Sequence, residues 1–301
     1  MAAQPFWPRT SPHFLACRRA VREHSTDAEV TIGLSGGPDS LALVAAAAAE
    51  QQPARAVVVD HGLQPGSADV AKRAAEQARA LGILAEVVAV DVDTRDNLEA
   101  AAREARYAAL FGESEEVWVA HTADDQAETL LLGALRGNPA GMSARAGRLV
   151  RPFLQLRRAD TVGACAELGL ETWDDPMNQD PAYRRVAIRT QIIPALTELL
   201  GGDAVPALAH TADRIAQSNA VIRELAEPTG AMRCDELAAL PAVVRRSRIH
   251  AWLVDQDVHP NGAQLDAIER LVTHWRGQVG VDMSRGVRVR RVDGTLELTD
   301  R

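Results

Sequence analysis

The stretch VTIGLSGGPDSLALV, Val30 to Val44, decides the fold. Val30-Thr31-Ile32-Gly33-Leu34 is short, apolar and β-branched, the composition of a buried strand. Ser35-Gly36-Gly37-Pro38-Asp39-Ser40 then turns the chain, and from Leu41 onward the sequence is apolar and alanine-rich, as a helix packed on a sheet is. A strand, a glycine-rich turn and a helix start, in that order, make an anion site. Backbone N–H groups converge there, and the positive end of the helix favours phosphate. Gly36 and Gly37 allow close approach, Ser35 and Ser40 add hydroxyl donors, and Asp39 is a candidate magnesium ligand. The Walker A spacing is absent. Taken alone, the six residues also fit an ordinary Gly-Gly turn before a helix.

Outward from this stretch, strand and helix patterns alternate. Strands are expected at 54–60, 84–90, 116–120 and 148–153, and helices at 11–23, 67–81, 97–111, 121–136 and 159–168. Such alternation implies a doubly wound, five-stranded parallel sheet, whose ligands sit beyond the carboxyl ends of the strands. The loop at 35–40, the pair Asp60-His61, and His121 to Asp125 all fall on that edge. The segment 133–147 is glycine-rich and expected to be mobile, and 173–183 reads as a loop. Helices are expected at 184–200, with arginines on one side, and at 204–226. A small second unit follows, with helices near 242–255 and 264–275 and a hairpin near 287–298 turning at Asp293-Gly294. The expected division is a catalytic domain over 1–202 and a mostly helical domain over 203–301.

Composition narrows the class. The chain has 301 residues, 47% of them hydrophobic, enough for one or two full cores. It lacks a run of 18 apolar residues, so no membrane partner is expected. The N-terminus, broken by Pro5, Pro8 and Pro12, is unlike a signal peptide. Cys17, Cys165 and Cys234 are far apart and form no C-x-x-C, which argues against a disulfide framework or a cysteine-rich metal site and fits the cytoplasm. The net charge of −8 is uneven: residues 1–143 hold 12 Lys and Arg against 20 Asp and Glu, and residues 144–301 hold 21 of each. A nucleic-acid surface is therefore expected in the later part, where Arg245, Arg246 and Arg248 cluster, although such a cluster alone is also the mark of a solvated helix face.

In AHTADDQAETLLLGALRG, Ala120 to Gly137, His121 and Asp125 are four apart and share a helix face. A histidine beside a carboxylate can bind a phosphate oxygen, a base or a metal. Capping of the helix by Thr122 or Asp124, with a solvated histidine, is the plainer alternative.

SGGPDS resembles the pyrophosphate loop of the N-type ATP pyrophosphatases. With VDHGLQ (59–64), the E-x-x-x-R-x-x-R-Y pattern from Glu99 to Tyr107 and AHTADDQAETLLL, the chain more specifically resembles the tRNA(Ile)-lysidine synthetases. Gly141-Met142, Arg151-Pro152-Phe153-Leu154, Trp173-x-Asp175-Pro-x-Asn178, and Tyr183-x-Arg185 through Arg189 to Pro194 extend the match in order over about 30–200, with a weaker continuation to the end. Two positions depart from the family pattern: Thr122 stands for the second histidine of A-H-H-x-D-D, and Val186 for an asparagine after Arg185.

The resemblance implies a ligase that forms a carbon–nitrogen bond. ATP adenylates the C2 oxygen of the wobble cytidine in a CAU-anticodon isoleucine tRNA, releasing pyrophosphate, and the amine of free L-lysine then displaces AMP to give lysidine. It implies that ATP lies against Leu34, Ser35, Gly36, Gly37, Pro38, Asp39, Ser40, Asp60 and His61. Mg2+ would lie on Asp39 and Asp125, and catalytic roles would fall to Asp39, Arg106, His121, Asp125, Arg185 and Arg189. Arg245, Arg246 and Arg248 are the expected tRNA contacts. A second copy of the chain is an optional partner. Other readings are a thiolating tRNA enzyme, which generally carries paired cysteines or a metal cluster, an NAD synthetase-like ligase, which would not explain VDHGLQ and AHTADDQAET, and a nucleotide- or tRNA-binding module without turnover.

Overall fold

The structure, a computed structural model, describes residues 7–62, 66–90, 98–112, 114–175, 180–228 and 230–300. Its contacts divide the chain into two units, Met1–Ile215 and Ala216–Arg301. The first unit runs α1 (Pro12–Arg22), β1 (Val30–Gly33), α2 (Pro38–Ala49), β2 (Ala54–Asp60), α3 (Ser67–Ala80), β3 (Leu84–Ala89), α4 (Leu98–Phe111), β4 (Val117–Trp118), α5 (Ala123–Leu135), β5 (Arg145–Ala146), β6 (Leu149–Val150) and α6 (Arg158–Leu168). One further helical stretch follows, as α7 (Arg184–Ala187), a widened π turn (Ile188–Ile192) and α8 (Ile193–Leu200). The long helix α9 (Val205–Leu225) leads out of the unit.

The sheet order is β3-β2-β1-β4-β6-β5. The five expected strands are parallel, and a sixth, β5, pairs antiparallel with β6 at the edge. After β3 the chain crosses back through α4 to place β4 on the other side of β1. That reversal opens a crevice at the carboxyl ends of β1 and β4.

Both faces of the sheet are covered. Val30 and Ile32 of β1 and Ala56 and Val58 of β2 pack with residues of α1, α2, α3 and α6. Val57 and Val59 pack on the opposite face with Tyr107, Leu110 and Phe111 of α4. Alternate residues of one strand thus enter two cores, which is why the middle of β2, Ala56 to Val59, reads as an unbroken apolar run. Every residue of α2 from Ser40 to Ala47 is buried. Its alanines suit a helix enclosed on all sides, because small side chains let the neighbouring helices approach.

Within the glycine-rich segment 133–147, expected to be mobile, Gly141 and Met142 are held by named contacts. Gln126 Nε2 donates to Met142 O at 2.9 Å and Gln126 Oε1 accepts from Met142 N at 2.7 Å. Gly141 lies so close to α9 that a Cβ would come within 2.0 Å of Ala212 O. Asp213 accepts from both Gln126 and Gln155 at 2.7 Å. These contacts tie the first half of α9 to the first unit, so the division falls inside α9, later than the expected boundary at 202–203.

The second unit holds α10 (Cys234–Ala239), α11 (Ala242–Asp255), α12 (Gly262–Thr273), β7 (Val281–Asp282), β8 (Val287–Val292) and β9 (Thr295–Asp300). The three strands form one antiparallel sheet over a core that includes Leu237, Ile249, Leu253, Ile268, Leu271, Val289 and Leu296. The hairpin turns at Asp293 and Gly294, both with positive φ, as a two-residue turn of this sequence requires. The sequence signalled neither α10 nor β7, both too short to show periodicity. Among the described residues no single helix is long and apolar enough to cross a membrane.

Candidate active site

The loop after β1 is held by its own hydroxyls. Ser35 N donates to Ser40 Oγ at 3.1 Å, and Ser40 Oγ donates to Gly37 O at 3.0 Å. Ser40 is buried, so its hydroxyl shapes the loop from within, whereas Ser35 is exposed on the open side. Gly36 has φ +82°, and a Cβ there would lie 3.3 Å from Ala74 Cβ. Gly37 N-caps α2 in an extended conformation and Pro38 opens the helix. Trp173 N donates to Gly36 O at 2.9 Å, so the segment after α6 is fastened across the loop. That segment continues into 176–179, outside the described residues, as are Leu63 and Gln64 and the side chain of Glu99.

Asp39 and Asp125 face each other across the start of α6. Asp39 Oδ1 accepts from Thr161 Oγ1, and Asp39 Oδ2 lies 3.5 Å from Arg158 Nε. Asp125 Oδ2 accepts from Thr122 N and Thr122 Oγ1, each at 2.8 Å, closing a capping box on α5. Asp125 Oδ1 accepts from Arg158 Nη2 at 2.7 Å. Burial raises the Asp39 carboxyl above its ordinary range, against the pull of Arg158 and Thr161. Burial acts on Asp125 in the same direction, but Arg158 and the two hydrogen bonds from Thr122 outweigh it and hold that carboxyl low.

Glu128, one turn further along α5, is fully buried. Its carboxylate accepts from Arg189 Nε at 2.7 Å and Arg189 Nη2 at 3.3 Å, and lies 3.3 Å from Arg158 Nη1 and 3.8 Å from Arg185 Nη1. Arg185 and Arg189 therefore share a face, as their spacing predicts, and both meet one carboxylate. Asp124 pairs with Arg157 at 3.1 Å and accepts from Arg158 N at 2.8 Å. Four carboxylates thus oppose four guanidinium groups.

His121 closes the site at the end of β4. Burial pushes its imidazole down to about 4, so it is neutral at pH 7, and its Nδ1 is buried without a partner among the described residues. His61 Nδ1 is likewise buried and unpartnered there, with burial and then Arg106 lowering its pKa. Asp60 Oδ1 accepts from Gly62 N at 3.0 Å. Arg106 stacks near Tyr107, with its guanidinium carbon 5.6 Å from the ring centroid.

The arginines expected to hold tRNA are engaged inside the second unit. Arg245 pairs with Glu269 at 3.1 Å and donates to Leu240 O at 3.0 Å. Arg246 pairs with Asp266 and Glu269, and Arg248 donates to Leu225 O at 2.8 Å. They tie α11 to its neighbours and do not form a free basic patch. Sequence reasoning passed over Arg158, Thr161 and Glu128. Nothing in the sequence around AETLLL or LRRAD marks this acid or this arginine apart from its neighbours.

Among the described residues no group of three or more His, Cys, Asp or Glu side chains could hold a metal ion. Asp39 and Asp125 nonetheless turn one oxygen each toward a common cation, the Arg158 guanidinium. Two such carboxylates fit a hard cation that takes its remaining ligands from phosphate and water.

Residues 13–196 match the PP-loop domain family and residues 232–297 match the TilS substrate binding domain family. The tRNA(Ile)-lysidine synthase of Corynebacterium glutamicum is 48% identical over 305 residues, covering 97% of each chain. That of Corynebacterium diphtheriae is 49% identical over 294 residues, covering 98% of this chain and 99% of the relative. Among solved structures, a U34-tRNA thiolase from Methanococcus maripaludis superposes with a TM-score of 0.54 over 68% of this chain and 78% of its own, at 15% identity, a likeness of fold alone. Two family matches placed in order on the two units, together with identity at this level over nearly the whole length, establish that the chain belongs to the tRNA(Ile)-lysidine synthase family.

Proposed function

We propose that the chain activates the wobble cytidine of a CAU-anticodon isoleucine tRNA with ATP and joins free L-lysine to it. One observation carries this reading: the SGGPDS loop, Asp39, Asp125, His121 and four arginines converge on one carboxyl edge of the sheet. The loop N–H groups and Ser35 receive the β- and γ-phosphates. Asp60 and His61, at the end of β2, lie along the ribose and adenine. In the first step the cytidine C2 oxygen bonds to the α-phosphorus and pyrophosphate leaves. In the second, the lysine amine bonds to C2, loses a proton, and AMP leaves with the former C2 oxygen. Mg2+, held by Asp39 and Asp125, would supply positive charge to the phosphates. Arg106 and Arg189 add permanently charged donors near the same phosphates. The buried carboxylate of Glu128, beside Asp39 and Asp125, gives a cationic amino acid a place to dock once arginines turn to the nucleotide.

A thiolation reading has less support. Cys17, Cys165 and Cys234 are free and buried, and burial pushes the Cys165 thiol up to about 12. A thiol held that firmly protonated is a poor nucleophile at neutral pH. The free thiols suit a reducing cytoplasm. A homodimer is a separate proposal, checked by sedimentation equilibrium of the whole chain.

Incubation with labelled lysine, ATP and a CAU-anticodon isoleucine tRNA, followed by nucleoside mass spectrometry, tests the reading. The expected result is label in one modified cytidine together with AMP and pyrophosphate. Absence of label, with the same tRNA modified by a Corynebacterium relative in parallel, overturns it.

A further inference from the structure

Asp39 and Asp125 follow one rule: each carboxylate has one oxygen fixed by a threonine and the other turned to Arg158. Thr161 holds Asp39 Oδ1, and Thr122 holds Asp125 Oδ2 through both its N–H and its hydroxyl. Both threonines are fully buried at helix starts, so they fix the planes of the carboxylates. The oxygens that remain, Asp39 Oδ2 and Asp125 Oδ1, are the two that face the guanidinium, at 3.5 and 2.7 Å. Arg158 Nη1 also reaches Glu128 at 3.3 Å. Glu128 has Arg185 and Arg189 besides, and Asp124 has Arg157. Among the described residues Arg158 is the one ion-pair partner of Asp39 and of Asp125.

We propose that Arg158 is the resident counter-ion of Asp39 and Asp125 in the nucleotide-free protein, and that it releases their free oxygens when a divalent cation arrives with the nucleotide. This rests on the reading of the two aspartates as metal ligands. A permanently charged guanidinium cannot be neutralised by deprotonation, so it competes with any other cation for the same oxygens. Phosphate groups change the balance, because they offer the guanidinium bidentate acceptors of equal or greater charge. The threonine bonds persist through the exchange, so the carboxylates do not have to reorient. Arg158 is thus a positioning residue that makes metal binding depend on nucleotide. It keeps the half-buried Asp39 and Asp125 and the buried Glu128 paired until substrate is present.

Mn2+ binding to the whole chain, followed by electron paramagnetic resonance with and without a non-hydrolysable ATP analogue, tests this. Without nucleotide, Arg158→Gln is expected to bind Mn2+ more tightly than wild type, on the order of ten- to a hundredfold, the scale of removing one neighbouring unit charge. With the analogue that difference shrinks or reverses. Arg158→Lys, which keeps the charge but not the three-way fork, is expected between the two. Unchanged or weaker nucleotide-free affinity in a natively folded Arg158→Gln protein overturns the proposal. If that variant does not fold, Arg158→Lys decides, and wild-type Mn2+ affinity there overturns it. Failure of wild type to bind Mn2+ even with the analogue defeats the metal reading beneath it, a result distinct from the other two.

Discussion

Asp125 serves a helix and a site at once. One oxygen closes the capping box of α5 and the other faces Arg158, so its two substitutable properties separate. Asp39→Asn and Asp125→Asn are each expected to lower the single-turnover rate of pyrophosphate release by roughly 10²–10⁴, the cost of losing one ligand to a charge-stabilising metal. Asp125→Asn should also lower thermal stability by about 1 kcal/mol, because its cap is weakened. Near-normal pyrophosphate release from either variant rules out the metal role. Arg189 raises a similar question, since it is bound to Glu128. An active-site role predicts that Arg189→Ala has a reduced maximal rate at saturating tRNA. Recovery of the full rate at saturation would make Arg189 a tRNA-docking residue. The reach of Arg189 to Glu128 spans 61 positions. No local pattern reveals such a contact, which is why Glu128 was passed over in the sequence while Asp39, fixed by its place in SGGPDS, was not.

At the scale of elements, what the sequence made legible follows from local constraint. β1 and β2 and their turn were readable because two-sided burial demands unbroken apolar runs and φ +82° at Gly36 demands glycine. β5, two residues long, and the π turn at Ile188–Ile192 carry no periodicity and were not readable. The contact made by 141–142 was missed for another reason: Gly141 serves close approach to Ala212 of α9. The α1–α2 pair offers a pH test. Glu50, at the end of α2, accepts from Arg18 at 2.6 Å and from Arg22 at 2.8 Å. Burial would raise its carboxyl, but Arg22 and Arg18 outweigh burial and hold it below the ordinary glutamate value. A folded-state value below the unfolded one means the contribution is complete above the unfolded pKa and is lost as pH falls through the folded one. Glu50→Gln should therefore cost about 1 kcal/mol at pH 7, and the difference from wild type should close as pH drops below the usual carboxylate range. Thermal melts across pH 3–7 check this, and a gap that stays constant over that range refutes it.

For the whole molecule, the tRNA contacts proposed above turn on where positive charge is free. Arg245, Arg246 and Arg248 are committed to Glu269, Asp266 and backbone carbonyls within the second unit. Removing them leaves Glu269 and Asp266 unpaired and loosens α11 from α12. Arg270, Arg276 and Arg290 in the same unit are exposed, and among the described residues none has an ion-pair partner. Counterion release makes the salt dependence of tRNA affinity a count of phosphate contacts, with a log–log slope that falls by roughly 1 for each arginine lost. Arg270, Arg276 and Arg290 changed together to alanine are expected to weaken tRNA binding and flatten that slope, with melting temperature and ATP affinity unchanged. The triple alanine variant of Arg245, Arg246 and Arg248 is expected to lower the melting temperature first. Its tRNA affinity should fall only as far as the folded fraction falls, with the slope preserved. Filter binding from 50 to 300 mM salt, paired with thermal melts, separates the two. A flattened slope in a fully folded Arg245, Arg246 and Arg248 variant would return those three arginines to the RNA surface and show that their carboxylate partners yield to phosphate on binding.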